Sequence, residues 1–271
     1  MNETEYNQAE GIRRSDLWKM EESPEKFRWC MDHPPEKSEA LLFGSAAHKL
    51  ILEGSDAFFA EYAVAPAVDR RTKAGREEFE AFRAANAGKE TVTKDQYDKI
   101  VEMSAQIRNC PLAYKLLKAK GTTEEAFFWT DPGTGEKCKV KTDRIVPWKR
   151  RKYILDYKTC KCAATFRFNS EIWKYGYFMQ AGMYSEGWKI ANKKRKLPGF
   201  MFVAQEKDPP YSVNVIEVSE EVMNAGVAKF HSLLEKYHDC KALDVWNGYV
   251  QDVPNDSFVP GWMMNEMEDE E

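Results

Sequence analysis

The chain has 271 residues, 43% hydrophobic, 13% aromatic and 31% charged, with a formal net charge of −4. That length allows one or two domains with a buried core, which excludes a disordered chain and leaves six cysteines too sparse for a disulfide scaffold. No apolar run approaches the roughly 18 residues of a membrane helix, and the polar start MNETEYNQAEG reads as no signal peptide, so the expectation is a cytoplasmic protein with reduced thiols and no membrane partner.

In chain order, Ser15-Asp16-Leu17-Trp18 reads as a helix start with Ser15 as N-cap, in a segment ending near Pro34-Pro35. Gly44 to Glu53 is rich in small residues and then apolar, which predicts a buried helix. The highly charged stretch Asp69 to Ala87 reads as a loop leading into a helix, and Thr93 to Asn109 as an N-capped helix with Ile100, Val101, Met103 and Ile107. After Gly121 the texture changes. Strands are expected at Glu124–Thr130, Cys138–Val146 and Tyr153–Lys158, the first two joined by the turn Asp131–Gly135. One helix from about Ser170 to Ala191 follows, then strands at Gly199–Gln205 and Tyr211–Val218, then a helix from Ser219 to about Asp239. The order β-β-β-α-β-β-α behind a helical N-terminal half predicts a mixed α/β fold.

Charge is unevenly spread. Met264 to Glu271 carries five acids and no base, which leaves 40 bases against 39 acids in the rest. The runs Lys149–Lys152 and Lys193–Lys196 can track phosphates, although a solvated loop is the commoner use of such a run.

Asp156 and Lys158 are two apart on a strand and therefore share a face. Asp143 falls near the end of the preceding strand, where a meander brings it beside Asp156. Two adjacent carboxylates repel unless a cation neutralises them, and hard oxygen ligands suit magnesium or manganese. A lysine beside such an ion can act on a bound water, whereas an ordinary solvent-facing ion pair is the plainer account of Asp-x-Lys. Glu124 adds a third acid at the same edge, and Gln180 and Tyr184 lie four apart on one helix face. His48, on an apolar helix, is either a satisfied core histidine or a ligand.

Strand-Glu, strand-Asp, Asp-x-Lys and a helix with Gln-x-x-x-Tyr together resemble the PD-(D/E)XK nuclease superfamily, and Gly44-x-x-x-His48 resembles its RecB-like branch. Five segments over about residues 11 to 190 are similar to the exonuclease VIII (RecE)-like phage recombination exonucleases: GIRRSDLWKMEESPEKF, LLFGSAAHKLILE, EEAFFWTDPGTGEKCKVKTDRI, ILDYKTCKCAATF and YFMQAGMYSEGW. The resemblance implies a restriction-endonuclease-like core, a central mixed β-sheet flanked by helices. A single nuclease domain would span 1–271, with a mainly helical part to 120, a catalytic core over 121–240 and an extension over 241–271. It implies that Asp143, Asp156 and the backbone carbonyl of Tyr157 ligate metal, that His48 ligates a second metal, and that Lys158 acts on the attacking water. Glu124, preferred to its neighbour Glu125, would complete the site, and Gln180 and Tyr184 would hold the phosphate or the metal shell. Ser15, Arg28, Arg70 and Arg71 are candidate DNA contacts.

The activity implied is Mg²⁺-dependent digestion of double-stranded DNA ends, with Mn²⁺ able to substitute. Its polarity would be 5′ to 3′, leaving a 3′ overhang for a single-strand annealing protein, in a bacterial host cell and by a ring-shaped homotetramer. The rivals are a metal-dependent endonuclease on the same core and a non-catalytic nucleic-acid-binding assembly protein. An iron–sulfur cluster of the type some RecB-like nucleases hold is not expected, because only Cys240 lies late in the chain to join Cys30, and Cys160-x-Cys162 is poor spacing for zinc. The late aromatics Phe230, Tyr237, Trp246, Tyr249, Phe258 and Trp262 read either as a subunit interface or as packing on the nuclease core.

Overall fold

A computed structural model describes residues 3–34, 36–249, 253–254 and 256–257. Its first half is helical: α1 (Glu3–Gln8), α2 (Arg14–Leu17), α3 (Pro24–Asp32), α4 (Glu39–His48) and α5 (Ser55–Glu61) precede a short strand, β1 (Tyr62–Val64). Then come α6 (Lys73–Ala85), β2 (Glu90–Val92), which pairs with β1 in parallel, α7 (Lys94–Gln106) and α8 (Pro111–Lys118). Ser15 is not the cap expected of it. It lies exposed inside α2, and the capping serine is Ser23, which accepts the Lys26 N–H ahead of Pro24, a residue pre-shaped for the first helical turn. Thr93 caps α7 as expected, in a reciprocal box with Gln96. The helix expected from Gly44 starts five residues earlier, at Glu39, and continues past His48 as a wider π-turn to Glu53.

The second half supplies a five-stranded sheet. Its strands are β3 (Thr122–Thr130), β4 (Lys137–Trp148), β5 (Arg151–Cys160), β6 (Gly199–Glu206) and β7 (Val213–Glu217), in that spatial order. Every pairing is antiparallel except β5 with β6, which α9 (Thr165–Lys174) and α10 (Tyr177–Ala191) connect as a crossover. The single helix expected over 170–191 is thus two. Gly176 breaks it with φ 66, and an added Cβ there would lie 2.6 Å from the Trp18 ring. The last helix is α11 (Glu220–Leu243).

Alternation along the strands feeds apolar layers on both faces. Ile154 and Phe202 join the core under α10 and α11, whereas Leu155 and Val203 face the opposite side. This is the mixed α/β sheet flanked by helices that the sequence implies. Phe230 is fully buried, and Tyr237 and Trp246 lie 5.4 and 5.6 Å from the Phe27 ring, so these three pack on their own chain; Tyr249 is 80% exposed. Phe258, Trp262 and the acidic stretch from Met264 lie outside the described residues. Both basic runs are exposed at the end of the sheet where β5 begins, away from Asp156. Lys149–Lys152 forms the β4–β5 turn and the first two residues of β5, and Lys193–Lys196 is a loop, so exposure fits a solvated use of both.

Candidate active site

The site forms where two strands part. β4 and β5 pair from Trp148↔Arg151 to Arg144↔Leu155 and no further. Beyond that point the Asp143 carboxylate takes over from the backbone and accepts the Tyr157 N–H at 2.7 Å. Asp143 is therefore in the middle of its strand but at the end of its pairing with β5. On β5, Asp156 and Lys158 share a face and form an ion pair, while the Tyr157 phenol turns the other way and donates to Gln205 at 2.8 Å.

On the other side of β4, Thr123 pairs with Arg144 and Glu125 with Thr142. Glu124, between them, has φ 55, a left-handed conformation that costs a non-glycine residue roughly 1–3 kcal/mol and that concentrates at functional sites. Its carboxylate lies 2.6 Å from the Lys141 ammonium and 3.7 Å from His48 Nε2. Glu125 is engaged elsewhere, accepting from Thr122 Oγ1 at 2.5 Å, so Glu124 is the acid that enters the site. From α4, His48 reaches Asp143 with Nε2 at 3.0 Å. From α10, Gln180 donates its side-chain amide to Asp156. Tyr184, one turn on, lines the same cleft of ≈ 890 Å³ with His48, Glu124, Asp143 and Lys158.

Charge in this cleft is balanced pair against pair: Glu124, Asp143 and Asp156 meet Lys141, His48 and Lys158. Burial opposes the charges of Glu124, Asp143, Asp156, His48 and Lys158, and neighbours decide the outcome. Burial alone would lower His48, but Asp143 and Glu124 raise it to about 9. Asp143 is half-buried, and although that burial would raise it, His48, Lys158 and the Tyr157 N–H hold it below the usual carboxylate range. Asp156 goes the other way: burial and the nearby Asp143 charge outweigh Lys158 and push it up to about 6. Lys158, despite burial, is kept charged by Asp156 and Asp143. Burial also raises Tyr184, which keeps its hydroxyl proton as a donor.

One donor atom each from His48, Glu124 and Asp143 lie within 4.8 Å of one another. An imidazole nitrogen and two carboxylate oxygens make a hard donor set that fits a divalent cation. Asp156 Oδ2 is buried and has the Lys158 ammonium beside it without hydrogen-bond geometry, so it too has lone pairs to offer. The remaining sequence candidates divide. Ser15 lines the cleft. Arg28 pairs with Asp32 at 3.1 Å and lies over the Trp246 ring, Arg70 lies 4.3 Å from the Phe79 ring centroid, and neither they nor the exposed Arg71 line it. The cleft residues that the sequence did not single out include the cations Lys141 and Arg14. Lys141 carried a signal, being two before Asp143 and hence on its face. Arg14, beside Ser15, carried none, because its orientation depends on α2 packing against α10.

A family model described as "PDDEXK-like domain of unknown function (DUF3799)" matches residues 14–253. Among solved structures, the chain is similar to one described as a "Putative exonuclease" from Eubacterium rectale, with 15% identity and a TM-score of 0.63 over 98% of this chain and 97% of that one. At that identity the likeness is one of fold. A second structure, described as SSO0001, has 13% identity and a TM-score of 0.29 over 62% of this chain and 70% of that one. No curated protein matches the chain.

Proposed function

The chain belongs to the DUF3799 family of PDDEXK-like domains, and from that premise we propose that it is a divalent-metal-dependent exonuclease acting on the ends of double-stranded DNA. The observation that carries the reading is the meeting of His48, Glu124 and Asp143, within 4.8 Å at their donor atoms, beside the Asp156–Lys158 pair. His48, Glu124, Asp143, Asp156 and the carbonyl of Tyr157 would hold the metal, Mg²⁺ or Mn²⁺. A divalent ion bound there would polarise a phosphodiester and acidify water.

The chain's own groups do the rest. Lys158, charged and fixed by Asp156, is placed to hold and orient the attacking water and to offer charge to the phosphate. Gln180 fixes Asp156 in turn. Tyr184 presents a retained proton to a phosphate oxygen. Polarity from 5′ to 3′, a 3′ overhang, an annealing partner and a ring-shaped tetramer rest on the resemblance to phage recombination exonucleases.

Digestion of end-labelled linear duplex beside covalently closed circular duplex, in Mg²⁺ and in EDTA, tests the reading. Linear DNA should be consumed from its ends only in Mg²⁺ while circles survive. Rapid linearisation of the circle would favour the endonuclease, and no cleavage under any divalent ion would leave only a binding protein.

A further inference from the structure

Among the described residues Arg14 is a cation of this cleft with no carboxylate in contact, and the Asp156 charge acts on it only from beyond ion-pair distance. It lines the cleft with Lys158, Gln180 and Tyr184 and is half-buried. Its Nη2 donates to the Tyr175 carbonyl, and its Nε is buried with no hydrogen-bond partner. Among the described residues no carboxylate lies within ion-pair distance of it, in contrast to Arg13 next door, which Asp16 takes at 2.8 Å. A guanidinium withdrawn from water with no carboxylate in contact is costly, and an anion seated beside it would offset that cost.

The surroundings narrow the anion. Arg14 Cζ lies 5.6 Å from the Trp18 ring centroid and 5.8 Å from that of Tyr177, so two aromatic rings brace the guanidinium. Lys158 Nζ lies 5.0 Å from the same Tyr177 ring. The two cations therefore share one ring, and neighbouring phosphates along a single strand can meet both. A braced guanidinium suits the two non-bridging oxygens of a phosphate, which it can grip bidentately.

We propose that Arg14 is a positioning residue that clamps the DNA phosphate adjacent to the one at Lys158. The proposal rests on the nuclease reading above. It names a contact that the reading does not need: Lys158 and the acids would suffice for hydrolysis, and Arg14 would set which phosphate lies before them.

The test is binding of a fluorescein-labelled, 5′-phosphorylated blunt duplex in EDTA, titrated with salt, together with steady-state cleavage in Mg²⁺. R14Q should weaken binding roughly tenfold near physiological salt, as loss of a charge-assisted contact does. It should also flatten the log–log salt dependence by about one phosphate contact. R14K keeps the charge but not the fork, so its slope should stay that of the wild type while KM rises severalfold at unchanged kcat. The DNA-free melting temperature of R14M should equal or exceed that of the wild type, because an uncompensated charge has been removed. Wild-type slope and affinity in R14Q would overturn the clamp, as would wild-type KM in R14K, the variant that decides if R14Q does not fold. A cleaving wild type with unaffected Arg14 variants overturns this proposal alone, whereas a wild type that neither binds nor cleaves DNA overturns the nuclease reading with it.

Discussion

At Asp156 the demands of stability and of function oppose each other. The residue is 1% exposed, and burial together with Asp143 lifts it to about 6. An acid raised in the folded state costs stability once it ionises, so the cost is absent below its unfolded pKa near 4 and complete above about 6. Asp156→Asn should therefore abolish cleavage yet raise the stability of the EDTA-treated protein at pH 7.5 by about 1–3 kcal/mol, an advantage that vanishes at pH 4. Thermal melts at the two pH values check this, and destabilisation at pH 7.5 would contradict it. Lys158→Ala should remove cleavage while leaving the fold in place, since the lysine side chain lines the cleft and belongs to none of the apolar cores. His48 faces carboxylates, so His48→Ala should lose activity, with partial recovery at high Mn²⁺; retained activity with a fallen melting temperature would return it to the core-histidine reading.

At the scale of elements, the site depends on how closely α10 and α11 cross. An added Cβ on Gly182 would come within 2.3 Å of the Gly226 backbone, and one on Gly226 within 2.0 Å of the Phe178 carbonyl oxygen. Neither obstacle is a side-chain tip that could swing aside, so the helices themselves would have to separate. Because α10 carries Gln180 and Tyr184, any shift of this helix moves two cleft residues against β5. Gly182→Ala should lower stability by about 2–4 kcal/mol, seen as a drop in the urea midpoint, and should reduce cleavage even at temperatures where the protein is folded. A variant with unchanged midpoint and rate would show that this crossing is not what positions the site. β4 and β5 act similarly: by parting beyond Arg144↔Leu155 they leave room for an acid side chain where a ladder hydrogen bond would otherwise sit.

For the whole molecule, the proposed ring is the property with most at stake. Part of its sequence argument has gone into the fold: Phe230, Tyr237 and Trp246 serve the chain's own core. Other aromatics remain outside. Trp29, Phe166 and Tyr249 are 62%, 69% and 80% exposed, and exposed bulk of this kind is what a subunit contact covers. Light scattering at micromolar concentration should give a mass several times 31.4 kDa, and a monomer that still digests long duplex without dissociating would remove the ring as the source of processivity. Chelation should leave the fold standing, because Lys141, His48 and Lys158 already balance the three acids. Loss of most of the far-ultraviolet circular dichroism in EDTA would mean that the metal is structural.

The strands, the last helix and the Thr93 cap follow from the sequence because they rest on local terms: alternation, turn residues and a side chain that satisfies its own helix end. The pairings of Asp156 with Lys158 and of Gln180 with Tyr184 were legible for a related reason, whereas the gathering of Glu124, Asp143 and His48 with them in one site followed from the resemblance to PD-(D/E)XK nucleases. Strand and helix periods dictate which residues share a face, and like charges gathered on one face need a cation. What the sequence could not decide are contacts made across elements. That Glu124 and not Glu125 enters the cleft depends on a left-handed backbone between two strands, and the break at Gly176 on the Trp18 ring that comes against it. That Arg14 faces the cleft depends on α2 meeting α10, a matter of packing between segments more than a hundred residues apart. Local periodicity places a side chain on its element; only the tertiary structure chooses what that side chain meets.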